Sequence, residues 1–237
     1  MFLPGITAVF ALVLASCPSG TDSGVYKGLG EKLNISGRVY TRNIDTENFS
    51  VNYIEYKNNL AVSDGGIGGE GKIEKGQLSY SIEEPVLFQV DEGLAILKRM
   101  YTSVEFSPED ARAAAVNLTV TGDTDYILLS REKITVNLNQ LSLGFDFVYY
   151  LYVDRDVIVT ADGDSFRFEN FEIPINITVS EISLNLKKGW NALYGKISGE
   201  LKYTLLSGAE ASGNLTMSVS NPSSLKWTLS SVQELLF

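Results

Sequence analysis

Apolar side chains recur at every second position in one segment of this chain after another, and no other feature narrows its fold as much. Across residues 144–153, Phe145, Phe147, Tyr149, Leu151 and Val153 share one parity, while Asp146, Val148, Tyr150 and Tyr152 share the other. A strand turns successive side chains to opposite faces, so this run predicts the best core strand of the molecule. Residues 33–41, 51–56, 77–82, 116–120, 157–161 and 182–186 repeat the pattern more briefly, and 127–130 and 134–138 read as two further short strands. Turn residues separate these runs roughly every 8 to 12 positions, as in stacked antiparallel sheets. The expected class is all-β, of the antiparallel β-sandwich type. Gly37, inside the first run, reads as a bulge.

One place carries a good helix start. Ser107 can cap, Pro108 suits the first helical position, and Glu109 and Asp110 face the positive end of the dipole. A short helix over 107–115, extended by Ala111 to Ala115, is therefore expected between a first β unit at 31–106 and a second at 116–237. A single fused sandwich is the alternative. The segment 94–106 fits either a strand or a short helix. The chain has 237 residues, enough to bury a core without staples.

The first residues behave differently. Residues 2–16 carry no charge and end in Leu14-Ala15-Ser16-Cys17. The run is shorter than the ~20 apolar residues of a spanning helix but suits the apolar region of a signal peptide. An aliphatic residue, two small residues and a cysteine resemble the lipobox of bacterial lipoproteins. That resemblance implies a signal peptide at 1–16 cut between Ser16 and Cys17, and fatty acyl chains such as palmitate on Cys17. It also implies a membrane anchor in the cell envelope, the outer membrane being the expected one, on its surface or its periplasmic face. Residues 17–30 read as the lipidated end and a flexible tether. The first positive side chain is Lys27, and Pro4-Gly5 interrupts the apolar run. An ordinary signal peptide cut elsewhere, or a buried N-terminal strand with Cys17 as a core thiol, are the other readings of the same residues.

Composition removes several functions. Twenty-nine acidic against 19 basic residues leave a net charge of −10, which opposes binding to nucleic acid. The chain has no histidine, so Ser-His-Asp and Cys-His catalysis and His-ligated zinc do not apply. No enzyme activity is expected. Its single cysteine rules out an internal disulfide framework.

Several motifs invite chemistry. Gly66-Ile67-Gly68-Gly69-Glu70-Gly71 satisfies G-x-G-x-x-G, but a dinucleotide site needs a helix after it. A strand follows here, so a hairpin connection is expected. Asp154, Asp156, Asp162 and Asp164 sit at strand ends, where oxygen-rich loops can hold calcium; Asp-Gly is equally a favoured turn. Tyr150, Tyr152, Trp190 and Trp227 could meet a sugar or peptide ligand, or belong to ordinary β composition. Trp227 reads as core, and Gly189 as a positive-φ position that folds Trp190 back over the end of the sandwich. N-x-S/T triplets at Asn34, Asn48, Asn117, Asn176 and Asn214 read as solvent-facing strand positions.

Three segments, 152–157, 184–194 (with Gly189-Trp190-Asn191-Ala192-Leu193-Tyr194) and 221–229 (with Asn221-Pro222-Ser223-Ser224-Leu225-Lys226-Trp227), resemble poorly characterised lipoproteins of treponeme-type spirochaetes. The resemblance implies an envelope location and a β-rich fold, and brings no activity or cofactor. The expected function is thus a membrane-anchored binding or interaction protein with a protein or glycan partner. A structural envelope lipoprotein and a calcium- or carbohydrate-binding module are the alternatives.

Overall fold

The computed structural model of the chain describes residues 26–45, 48, 50–121, 126–168, 174–204 and 208–231. It begins with β1 (Leu33–Asp45), β2 (Ser50–Glu55), β3 (Leu60–Ser63), β4 (Glu70–Glu74), β5 (Gln77–Ile82) and β6 (Phe88–Gln89). Two short helices follow, α1 (Val90–Gly93) and α2 (Ala95–Met100). Next come β7 (Val104–Ser107), β8 (Arg112–Val116), β9 (Thr119–Thr121), β10 (Tyr126–Asn137) and β11 (Ser142–Val153). The last strands are β12 (Val157–Ala161), β13 (Asp164–Phe168), β14 (Ile175–Val179), β15 (Ile182–Leu186), β16 (Gly189–Thr204), β17 (Gly208–Val219) and β18 (Lys226–Ser231). The all-β, sandwich-type fold is what the period-two pattern predicts. Among the described residues no helix is long and apolar enough to cross a membrane.

Two hydrophobic cores share one wall, made of β11 and β16, which pair antiparallel from Ser142↔Glu200 to Val153↔Gly189. On one face Phe147, Leu151, Val153, Leu193 and Ile197 meet the small sheet β15–β12–β7 and the two helices. On the other face Val148, Tyr150, Trp190 and Ala192 join a second core. Both faces of this wall are therefore covered, including the Val148, Tyr150 parity.

Most of the second core lies inside a ring. Starting from β10, neighbours run β18, β1, β5, β4, β3 and β9, and β9 returns to β10, so seven strands close on themselves. The closing contact is Leu128↔Thr119, beside the Leu129 N–H to Leu118 carbonyl bond at 2.9 Å. Every strand of the ring sends alternate apolar side chains inward, among them Ile35, Ile73, Leu78, Val120, Leu129 and Leu229. The large sheet is thus rolled into a small barrel at one end and left open as a sandwich layer at the other.

Three expectations need correction. Residues 107–115 are not helical: β7 ends at Ser107, a turn follows, and Arg112–Val116 form β8. The alanines serve close packing instead of helix formation. β8 pairs with β11 through Ala113↔Val153 to Val116↔Tyr150, and α1 lies against it so tightly that a Cβ on Gly93 would sit 2.3 Å from the Ala113 carbonyl oxygen.

The division into 31–106 and 116–237 also fails, because β18 lies between β1 and β10, β9 pairs with β3, and β7 pairs with β12. Among the described residues the last strand, β18, joins the first, β1, in parallel, at Val39↔Trp227 to Thr41↔Leu229, which no boundary in the middle of the chain can separate. The fused arrangement is the one observed.

Finally, the last part of the expected flexible tether, Tyr26–Gly30, is docked. Ala192 N–H donates to Tyr26 Oη at 2.9 Å, Leu29 N–H to the Trp190 carbonyl at 2.6 Å, and Trp190 N–H to the Gly30 carbonyl at 2.7 Å. Gly189 does take a positive φ, 92°, but Trp190 is the second residue of β16 and is fully buried. Residues 1–25, with Ser16 and Cys17, lie outside the described residues.

Candidate binding groove

The barrel is not sealed along β1. That strand pairs with β5 from Leu33↔Ile82 to Arg38↔Gln77, yet reaches β18 only at Val39. Ahead of β18 the chain at 221–225 forms no strand. Between it and the first half of β1 lies a groove of about 580 Å³, within the size range of ligand sites.

Arg131 holds the two walls apart. Its Nη1 donates to Tyr150 Oη at 2.6 Å and to Asn221 Oδ1, and its Nη2 donates to the Pro222 carbonyl at 2.6 Å. The guanidinium therefore pins the 221–222 segment to β10 and β11, away from β1. Beneath it Tyr150 stacks on Trp227, with ring centroids 6.2 Å apart and planes 19° from parallel. The indole fills the space that a side chain at position 37 would need: a Cβ on Gly37 would lie 2.9 Å from Trp227 Cδ1. Gly37 is thus a close-approach glycine in unbroken register with Leu78, not a bulge.

The charge of this groove is opposite to that of the protein. Lys32, Arg38, Arg131 and Lys226 line it, and no carboxylate does, in a chain of net charge −10. Lys32 and Arg38 are paired with Glu83 and Glu55. The described partners of the other two are neutral. Lys226 Nζ stands 4.7 Å from the Tyr40 ring centroid and 4.8 Å from that of Tyr53, a cation–π cradle that fixes the charge without cancelling it.

The aromatic candidates divide. Tyr150 is buried at the groove, where burial pushes its phenol up against the opposing pull of Arg131. Tyr152 lies outside the groove, with its ring edge on Trp190 and its hydroxyl donating to Glu31 at 2.9 Å. Burial, and then Glu31, push its pKa up to about 12. Trp227, expected as core, is both core and groove floor.

The four aspartates do not converge. Asp154 and Asp156 precede β12, while Asp162 and Asp164 follow it, so a five-residue strand of roughly 16 Å separates the pairs. The first two are also engaged. Asp154 accepts from Arg112 N–H at 3.1 Å and from Arg155, and Asp156 accepts from Lys187 and from Lys188 N–H at 2.9 Å. Burial pushes the Asp154 carboxyl up, but Arg155 and the Arg112 amide outweigh it and leave it below its ordinary value. Lys187 and the Lys188 amide lower Asp156. Asp164 accepts from the next backbone N–H, and Asp162 is exposed. No group of three or more Asp, Glu, Cys or His able to hold a metal occurs among the described residues. A calcium site built from these four is not the geometry observed.

The glycine-rich segment is a connection between β3 and β4, as expected from the strand that follows it. What organises it is Asp64, which sequence reasoning passed over. Asp64 is buried; its Oδ1 accepts from Gly66 N–H at 3.0 Å, and its Oδ2 from Gly69 N–H at 2.5 Å and Tyr80 Oη at 3.0 Å. Burial and this carboxylate together raise the Tyr80 pKa. An aspartate directly before Gly-Gly is a recognised turn former, so a signal was there.

A second buried charge, Glu132, pairs with Arg42 and accepts from Ser130 at 2.8 Å, on the outer side of the barrel under β2. Comparison with known proteins leaves the assignment to this geometry: no family model, no curated protein and no solved structure matches the chain.

Proposed function

We propose that this chain is a lipid-anchored binding protein of a bacterial envelope, without catalytic activity, and that the β1 groove is where it binds. The observation that carries the binding half is a groove whose charged lining residues are all cations, in a strongly acidic protein, since charge of one sign in a cleft concentrates ligands of the other. The anchoring half rests on Leu14-Ala15-Ser16-Cys17. Two or more acyl chains on Cys17 hold a protein stably at a bilayer. Tyr26, nine positions after Cys17, already docks on β16. The groove, which starts at Leu29, sits on the anchored side.

Metabolic labelling with a fatty acid, with mass spectrometry of the mature N-terminus, tests the anchor. Label on the native chain and none on Cys17→Ser is the expected result. A mature chain that retains residues ahead of Cys17, or carries an unmodified thiol there, overturns it. The purely structural lipoprotein is the weaker reading, since it gives the groove no role.

A further inference from the structure

We infer that the groove takes an extended acidic peptide, which adds as a strand to the open edge of β1. The inference deepens the binding reading above and rests on it for the site, but not on the anchor.

The edge is the first argument. In an antiparallel pair alternate residues direct both backbone groups at the partner. Val39 N–H donates to the Gly76 carbonyl at 2.9 Å, so Leu33, Ile35 and Gly37, of the same parity, face β5. Asn34 and Ser36 then present N–H and C=O to the groove, where among the described residues no strand pairs with them. Such an edge is a template for a guest strand. Along 33–38 it offers roughly 20 Å, or about six residues of extended chain.

Charge is the second. A strand laid on this edge alternates its side chains between the two sides of the sheet. On one side it meets Arg131 above the Tyr150–Trp227 stack; on the other it meets Arg38 and Lys226. Carboxylates at successive positions would each reach a cation, and those at Arg131 and Lys226 would displace no competing carboxylate. Charge-assisted hydrogen bonds of this kind are roughly twice as strong as neutral ones.

The 221–225 wall is the third. Pro222 has no N–H, and its carbonyl is taken by Arg131, so neither backbone group at this point of the wall competes for the β1 edge. It confines a guest and leaves the hydrogen bonding to β1.

The test uses the full chain in detergent and a fluorescently labelled, end-capped eight-residue peptide of alternating Glu and Thr, read by anisotropy. Binding is expected, with loss on raising salt. It is expected to be absent for the Lys-Thr counterpart and for a Glu-Thr peptide with alternate backbone nitrogens methylated. Lys226→Gln is expected to weaken binding about tenfold, one charge-assisted contact's worth; Lys202→Gln, which removes a charge far from the groove, leaves it unchanged. Ser36→Pro removes a groove-facing N–H while sparing the β5 ladder, and is expected to abolish binding.

Equal binding of the methylated peptide overturns strand addition, whether or not Ser36→Pro folds. Equal binding of the Lys-Thr peptide, or no binding of the Glu-Thr peptide, overturns the acidic ligand. Co-flotation with phosphatidylglycerol vesicles at low salt, with no Glu-Thr peptide bound, would overturn the peptide and show a lipid headgroup site instead. None of these outcomes bears on Cys17 labelling, so failure here and failure of the anchor are separately visible.

Discussion

The two cores on either side of β11 and β16 are built from different materials. The sandwich core joins Leu151, Val153, Val157, Val159, Leu186 and Leu193, all fully buried, to Phe106, Phe147 and a single buried tyrosine, Tyr101. The barrel core mixes aliphatics with Tyr80, Tyr150, Trp190 and Trp227, and it carries polar attachments: Tyr80 to Asp64, and Tyr150 to Arg131. Phenylalanine has no polar tip, whereas a phenol or an indole lets a core reach a wet surface. The groove opens on the barrel side for that reason. The contrast sets the proposed recognition on the barrel side, apart from the sandwich core.

The largest effect expected from breaking this division is Leu151→Ala. Deleting the centre of the shared wall's sandwich face should cost about 2–5 kcal/mol in denaturant unfolding, while the folded fraction keeps its Trp227 environment. A large change in native tryptophan emission would mean that the cores are not separable. Next, Asp64→Ala strips the Tyr80 hydroxyl and two loop amides of their acceptor, at about 1–3 kcal/mol for a buried group left unsatisfied. Hydrogen exchange should quicken at Gly66 and Gly69 and stay unchanged at Leu151. Acceleration at both would again contradict the division.

A smaller effect comes from alkali. Burial, then Glu31, raises Tyr152 to about 12, and burial, then Asp146, raises Tyr194 to about 12; both pack on the barrel core. A phenol whose folded pKa exceeds its ordinary 10.0 keeps its proton in the folded state while the unfolded state loses it. Its contribution is complete below pH about 10 and is lost as pH climbs toward about 12. Melting midpoints should fall across that window, with barrel amides losing protection before sandwich amides. The least effect is expected of calcium: with Asp154 and Asp156 a strand away from Asp162 and Asp164, roughly millimolar calcium should leave the midpoint unmoved. A rise would restore the aspartate loops as a site.

Much of the sandwich could be read from the residues. β12 and β15 fall where alternation places them, 157–161 and 182–186, because each has one buried and one exposed face. The barrel was harder. Arg131-Glu132-Lys133 looks like a break between two short strands, yet β10 runs straight through it. Glu132 is buried there because Arg42, ninety residues earlier, pairs with it. Local alternation cannot report a partner so distant, and the same lapse hides Arg131, which shapes the groove. Ring closure through Leu128↔Thr119 is equally non-local. Ala111 to Ala115 misled for another reason: small side chains favour a helix by intrinsic propensity, but here they let α1 lie directly on a strand.

The docked strap Tyr26–Gly30 has a mechanical consequence. Tension arriving from the amino-terminal side first meets three hydrogen bonds laid along the start of β16. Once those slip, the next backbone under strain is β1, the strand whose free edge borders the groove. If the anchor and the groove act as proposed, a molecule tugged by its leash would feel the strain at its grip, and holding on and being pulled would be properties of one and the same strand.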